Sequence, residues 1–88
     1  MSPSPPAPRD PDALRQWLRE QCADCLGVPA ASLATDVPLT DYGMTSVTGI
    51  ALCGVVEEHL AVECDLALLW QEPTIDRLTS RLALRTVR

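Results

Sequence analysis

The chain contains no lysine, asparagine or phenylalanine, and no positively charged residue lies between Arg19 and Arg77. All seven basic residues are arginines near the two ends, while most of the twelve carboxylates lie between them. Nucleic acid is not an expected partner, because binding its phosphates requires clustered cationic side chains. The acidic stretch predicts partners with basic patches, since opposite charges steer encounter and select orientation. Charge alone is equally compatible with acids that only keep a small domain in solution.

Long apolar runs are also missing, as is an N-terminal signal of basic residues followed by an apolar segment. We therefore expect no membrane partner and a cytoplasmic location. A chain of 88 residues is long enough for one domain. Such a small domain has few side chains to spare for an enclosed active site, so we expect a non-catalytic protein.

Four cysteines raise the question of a disulfide or metal framework. Cys22 and Cys25 lie one helical turn apart within an amphipathic stretch, and the second pair, Cys53 and Cys64, lacks the spacing of a zinc knuckle. We interpret all four as reduced, buried apolar side chains, with a small metal domain as the alternative. No acid or thiol is placed to make His59 a general base, which favours an ordinary surface histidine.

The two ends of the chain differ in composition from the middle. Residues 1–9 are rich in proline and are interpreted as a disordered leader, residues 10–84 as the folded domain and residues 85–88 as a disordered tail.

The spacing of apolar residues predicts an all-α fold, a four-helix bundle. The first helix is expected to start at Asp10 and Pro11, where a carboxylate can cap the first turn, and to end at Gly27. Prolines and Gly43 predict a long loop between the first two helices, over residues 28–45. The remaining elements are a second helix over 46–60, a short third helix over 65–70 and a fourth helix with Pro73 in its first turn.

The second helix has more apolar surface than a small bundle can bury. One apolar stripe is expected to face the core, and a second stripe beside it comprises Val47, Ile50, Ala51 and Gly54. Exposed apolar residues next to acids predict a docking surface for another protein. Gly49 and Gly54 each cost about 1 kcal/mol relative to alanine inside a helix, so packing or a close partner must compensate.

A motif at the start of the second helix carries the chemistry. Residues 39–47, Leu-Thr-Asp-Tyr-Gly-Met-Thr-Ser-Val, resemble the phosphopantetheine attachment motif of acyl carrier proteins. Residues 68–75, Leu-Leu-Trp-Gln-Glu-Pro-Thr-Ile, resemble the approach to the last helix in the polyketide-synthase type of that family. The resemblance implies an acyl-carrier-protein-like bundle with 4'-phosphopantetheine, derived from coenzyme A, attached to Ser46. Independently of the family, a serine at a helix start is exposed and can also cap the helix, and we expect both of Ser46.

The resemblance also implies a function. The protein is expected to be a non-catalytic carrier of acyl or aminoacyl groups, held as thioesters, in polyketide or related secondary-metabolite biosynthesis. Its expected partners are a phosphopantetheinyl transferase that needs magnesium and an acyltransferase, adenylation enzyme or ketosynthase, and it is expected to be a monomer. For the acids of the second helix, plain solvation of a helix face is the alternative interpretation. The residues expected to contact partners are Asp41, Tyr42, Met44, Thr45, Val47, Ile50, Ala51, Glu57 and Glu58.

Two residues depart from the family pattern. Thr45 stands where the family normally has an aspartate that assists the transferase and its metal, so modification is expected to be slower or to need a dedicated transferase. Ala51 replaces a common acidic docking residue, which predicts a more apolar surface and a narrower choice of partners. The Thr45 departure keeps open a helical adaptor without a prosthetic group. A peptidyl carrier of nonribosomal synthesis is the other alternative. Such carriers usually have Gly-Gly before an acid-Ser or His-Ser pair, where this chain has Gly43 and Met44, and Tyr42-Gly43-Met44 is more typical of the polyketide type.

The ends of the chain favour a discrete carrier that acts in trans, although a module excised from a larger synthase would have much the same sequence. Either arrangement leaves the cargo open.

Overall fold

A computed structural model describes residues 10–86, so the expected leader at 1–9 lies outside the described residues. Across the described range the chain is helical, without strands, and none of its helices is long and apolar enough to cross a bilayer. The predicted four-helix bundle with a short third helix and a long first loop is confirmed. The elements are α1 (Pro11–Leu26), two 3-10 turns (Ala30–Ser32 and Leu39–Tyr42), α2 (Ser46–Leu60), α3 (Leu66–Gln71) and α4 (Ile75–Thr86).

Local sequence signals set both ends of α1. Asp10 Oδ2 accepts a hydrogen bond from the backbone N–H of Ala13 at 3.1 Å, and Pro11 occupies the first helical position. Gly27 ends the helix in the left-handed conformation, with φ 71°, and donates its N–H to the Ala23 carbonyl. Residues with a side chain rarely adopt this φ, so glycine is favoured at the end of the helix. Both predicted ends of α1 are confirmed.

Leucine side chains make up most of the core. α1 packs against α4 and α2, and α3 packs against α2. The loop contributes Leu33 and Leu39, which are almost completely buried. Each fully buried leucine stabilises the fold by about 1.5–3 kcal/mol relative to exposure, so the loop is part of the folded core.

Backbone hydrogen bonds anchor the loop to the start of α4. The N–H of Leu39 donates to the Pro73 carbonyl at 2.9 Å, and the N–H of Asp76 donates to the Thr35 carbonyl at 2.9 Å. These two bonds join segments that lie far apart in sequence. They fix the path along which the chain approaches α2.

The start of α4 differs from the expectation for Pro73. This proline lies outside the helix, because Thr74 Oγ1 accepts the N–H of Arg77 at 3.1 Å and the helix begins at Ile75. Threonine satisfies an N–H of the first turn, whereas proline in the first turn only removes one.

The end of α4 differs from the expectation for the tail at 85–88. Arg85 and Thr86 belong to the helix, and residues 87–88 lie outside the described range. Arg85 Nη1 donates to the Glu63 carbonyl at 2.6 Å. This contact with the segment after α2 holds the last turn in place.

The two glycines inside α2 have different surroundings. A Cβ atom at Gly49 would lie 2.7 Å from Leu66 Cδ1 and 3.2 Å from Leu69 Cδ1, so glycine allows α3 to pack closely on α2. A Cβ atom at Gly54 would meet nothing within 4 Å. Packing therefore compensates for the helix cost of Gly49 and not for that of Gly54.

We expect Gly54→Ala to raise the free energy of unfolding by about 0.5–1 kcal/mol, because alanine is the better helix former and its methyl group is unobstructed. Gly49→Ala brings the same gain in helix propensity, but its methyl group must displace the Leu66 methyl group. The increase in the free energy of unfolding should therefore be smaller, or the variant should be less stable than the parent. Urea denaturation of the two variants measures the difference. An equal gain at both positions would contradict the close packing of α3 on Gly49.

Candidate functional site

Ser46 is the first residue of α2, and its neighbour Thr45 caps the helix. Thr45 has an extended backbone, and its Oγ1 accepts the N–H of Thr48 at 3.4 Å. In return, Thr48 Oγ1 accepts the N–H of Thr45 at 2.8 Å. The pair forms a capping box, which satisfies two N–H groups at the helix start. The expectation that Ser46 caps the helix is therefore wrong, because the preceding threonine does so.

The capping box leaves the Ser46 hydroxyl available. The residue is exposed, and its side chain forms no hydrogen bond or ion pair with any residue in the range 10–86. The first turn of α2 contains no carboxylate, and its N–H groups give the helix start a partial positive charge. A phosphodiester on Ser46 Oγ would meet a favourable potential there and would displace no existing hydrogen bond. The residues present therefore fit a phosphate-linked prosthetic group.

Met44 lies in the core and not on the surface. Its side chain is 5% exposed, and its Sδ accepts a hydrogen bond from Thr48 Oγ1 at 3.2 Å. Gly43, in the left-handed conformation with φ 93°, ends the preceding 3-10 turn, and Met44 follows it into the bundle. The assignment of Met44 to partner docking is corrected, because a side chain packed in the core offers no surface to another protein.

Tyr42 braces the loop in front of the serine. Its hydroxyl accepts the N–H of Ala34 at 2.9 Å, and its ring is half-buried against the core. Asp41, next to it, is exposed. Of these two residues, Asp41 offers its side chain freely to a partner, whereas Tyr42 offers only part of its ring.

The second apolar stripe of α2 is exposed, as the sequence predicts. Val47 is 78% exposed and Ile50 62%. Ala51 is exposed beside them on the same helix. The strip begins one residue after Ser46, so a protein that covers it would also lie over the serine.

The two acids at the far end of α2 differ in their contacts. Glu57 and Glu58 are both exposed. Glu57 Oε2 accepts the N–H of Cys64 at 3.4 Å, which ties this side chain to the segment before α3. Glu58 is therefore the cleaner position at which to test a partner's charge.

The cysteine thiols are held in their protonated form. Burial raises the pKa of Cys22 and of Cys64 to about 12, and it also raises the pKa of Cys25 and of Cys53. The thiolate is the reactive form of cysteine, so these thiols are poor nucleophiles near neutral pH. In the part of the chain that the structure describes, no three His, Cys, Asp or Glu residues are grouped so as to hold a metal ion.

Sequence reasoning missed two features near the site. Thr48 completes the capping box, and the Thr-x-x-Thr spacing was the available signal, although the usual partner residue is Glu or Gln. Trp70 is the second feature, because this large aromatic side chain is 42% exposed. It lies on α3, the helix that packs against Gly49. An aromatic surface is therefore present on the element next to the start of α2.

Known proteins are similar to this chain in both sequence and fold. A family model described as a phosphopantetheine attachment site matches residues 16–82. The acyl carrier protein LipD from Actinoplanes friuliensis is 43% identical, and the match covers 98% of this chain and 94% of that one with a TM-score of 0.73. A free-standing peptidyl carrier protein from Acinetobacter baumannii is 25% identical, with 91% of this chain and 100% of that one covered and a TM-score of 0.86.

The curated relatives are much longer proteins. The Cluster 41 polyketide synthase of Aspergillus flavus is 33% identical over 85 residues, which is 92% of this chain and 8% of the synthase. The chain therefore spans a small part of the length of such a synthase.

We expect Thr45→Ala to lower the free energy of unfolding by about 1 kcal/mol, because it removes the cap of α2, and Thr45→Asp to keep the parent stability, because aspartate caps equally well. Urea denaturation measures both. Thr45→Asp also introduces the aspartate that the family normally has at this position. The rate at which a transferase modifies this variant therefore tests whether Thr45 slows that reaction. Unchanged stability of Thr45→Ala would contradict the capping assignment.

Proposed function

Because the chain belongs to the phosphopantetheine-attachment family, we propose that Ser46 is the residue that carries the prosthetic group. The observation that carries the proposal is the exposed Ser46 hydroxyl, which the Thr45–Thr48 capping box leaves without a partner at the start of α2. The protein is a carrier of this family and not an enzyme. When attached, the group supplies a thiol that holds the cargo as a thioester.

Attachment to Ser46 requires a transferase and coenzyme A as the donor. The bond between Ser46 Oγ and phosphorus forms, the bond from that phosphorus to the 3',5'-ADP part of coenzyme A breaks, and the serine proton is lost. The contribution of this chain is positional. The helix start holds the hydroxyl outside the bundle, and the N–H groups of the first turn stabilise the added negative charge. Because burial raises the pKa of all four thiols, they are poor acceptors for a cargo.

The proposed setting is polyketide or related secondary-metabolite biosynthesis, with an acyl group as the cargo. Support comes from the likeness to a segment of a polyketide synthase and to an acyl carrier protein. An aminoacyl cargo is the second candidate, which the likeness to a peptidyl carrier protein favours. Carriers in polyketide synthases work with synthase enzymes. The proposed partners here are a phosphopantetheinyl transferase and an acyltransferase, adenylation enzyme or ketosynthase. The proposed state of the carrier is a monomer, and its proposed location is the cytoplasm.

Docking is proposed for the strip that begins next to Ser46. Val47, Ile50 and Ala51 would contact the apolar part of a partner, and Glu58 would meet its basic residues. The alternative of an adaptor without a prosthetic group rested on Thr45. The family match over residues 16–82 favours the carrier over the adaptor.

We expect one phosphopantetheine adduct after incubation of the protein with coenzyme A, magnesium and a transferase of broad specificity, and none with Ser46→Ala, because among the described residues Ser46 is the exposed serine at the start of α2. Intact-mass spectrometry is the measurement. Ser80→Ala, which removes an exposed serine on α4, is the matched control and should be modified like the parent. An adduct on Ser46→Ala, or no adduct with several transferases, would rule out Ser46 as the attachment site.

Glu58→Arg should reduce kcat/KM for modification about twofold to fivefold at low salt, because an exposed charge pair contributes modestly and steers encounter. Raising the salt concentration should shrink the difference. Glu63→Arg, the same charge reversal beyond the end of α2, is the control. If both variants were slowed equally, net charge and not an α2 docking face would govern the encounter.

A further inference from the structure

α4 has an exposed face that takes no part in the proposed attachment of cargo to Ser46. Arg81 follows Arg77 by four positions and Leu84 follows Arg81 by three, so the three residues share one side of the helix. Leu84 is 77% exposed although it is large and apolar. The opposite side of α4 is buried in the core through Leu78 and Leu82. The exposed side therefore combines an apolar side chain with two guanidinium groups.

The cations on this face outnumber the acids that meet them. Arg77 Nε and Arg81 Nε lie 3.5 Å and 3.4 Å from the two oxygens of a single carboxylate, that of Glu72. The Glu72 side chain is only 12% exposed, whereas that of Arg77 is 66% exposed. Arg85 adds a third guanidinium, whose Nη1 meets the carbonyl of Glu63 and not a carboxylate. The largely covered carboxylate of Glu72 thus pairs with two of the three arginines, and the surface keeps a positive charge.

The charge of this face is opposite to that of α2. The exposed acids of α2 are Glu57 and Glu58, and no cation lies between Arg19 and Arg77. A partner whose basic surface suits α2 would be repelled by α4, because like charges across an interface are unfavourable. The two helices therefore fit partners of opposite charge.

We propose that the face of α4 formed by Arg77, Arg81 and Leu84 is a second docking surface, which binds an acidic segment of a partner protein with an apolar side chain between its carboxylates. Guanidinium groups pair with carboxylates in a planar, two-pronged geometry, and the apolar side chain would cover Leu84. A carrier held through α4 keeps α2 free to present Ser46, at a high effective concentration, to successive enzymes. This surface needs no prosthetic group and does not depend on the identity of the attachment residue.

The test uses the full 88-residue chain, isotope-labelled and without a prosthetic group. The probe is a synthetic helical peptide in which two glutamates, one turn apart, flank a leucine. We expect NMR shift changes on α4 and at Glu72, with binding that weakens as salt rises. The double variant Arg77→Gln/Arg81→Gln should bind about fivefold to tenfold more weakly. Arg19→Gln, which removes one positive charge from α1, should bind like the parent.

A second variant keeps the test valid if loss of both arginines disturbs Glu72. Leu84→Gln alters no charge and no ion pair, and we expect it to weaken binding of the same peptide. The proposal is overturned by shift changes on α2 in place of α4, by equal weakening in Arg19→Gln, or by equal binding of a peptide with glutamines in place of glutamates. Binding of phosphatidylserine vesicles but not of the peptide would assign a membrane, and self-association lost in Leu84→Gln would assign a second copy; either result overturns it. Because this assay requires no modification, its failure leaves the mass-spectrometric test of Ser46 unaffected.

Discussion

The reciprocal hydrogen bonds between Thr45 and Thr48 set the residue at which α2 begins, and the layout of the site depends on that start. Ser46 stands one position inside the helix, where capping no longer occupies its hydroxyl. Met44, one position before the cap, is buried in the core and is not part of the surface. Gly49 falls where α3 packs closely on α2. A short capping motif thus separates the exposed Ser46 from the buried Met44, two positions earlier in the chain.

The distribution of charge gives the molecule surfaces of opposite sign. Every cation in the described range lies on α1 or α4. Arg15 joins these helices, because its guanidinium meets Asp12 at 2.9 Å and Asp76 at 2.8 Å. The loop and α2 contain no cation with which Asp41 or Glu58 could pair locally, so these acids stay available to partners. An exposed charge pair between such an acid and a partner's basic residue would contribute little to the free energy of binding. Its main effect would be on which partner binds and on how fast the two proteins associate.

Local signals in the sequence predicted much of the fold, and the resemblance of residues 39–47 to a known motif led to the proposal for Ser46. The cap at Asp10 and the terminator at Gly27 act within one turn, so their effects can be read from neighbouring residues. The exposed strip at Val47 and Ile50 follows from helix periodicity in the same way. Pro73 was misassigned because two local signals compete there, and the hydroxyl of Thr74, which can satisfy an N–H, prevails over a proline that cannot.

The amino-acid sequence by itself determined the number of helices, the position of Ser46 at a helix start and the sign of charge on α2, because these depend on residues within a few positions of one another. Only the tertiary structure decided that Met44 is buried, that Leu39 bonds to Pro73, and that Arg77 and Arg81 share one carboxylate. Each of these contacts requires the path of the loop or the packing of separate elements. Their energies depend on burial and on distances that form only when those elements come together.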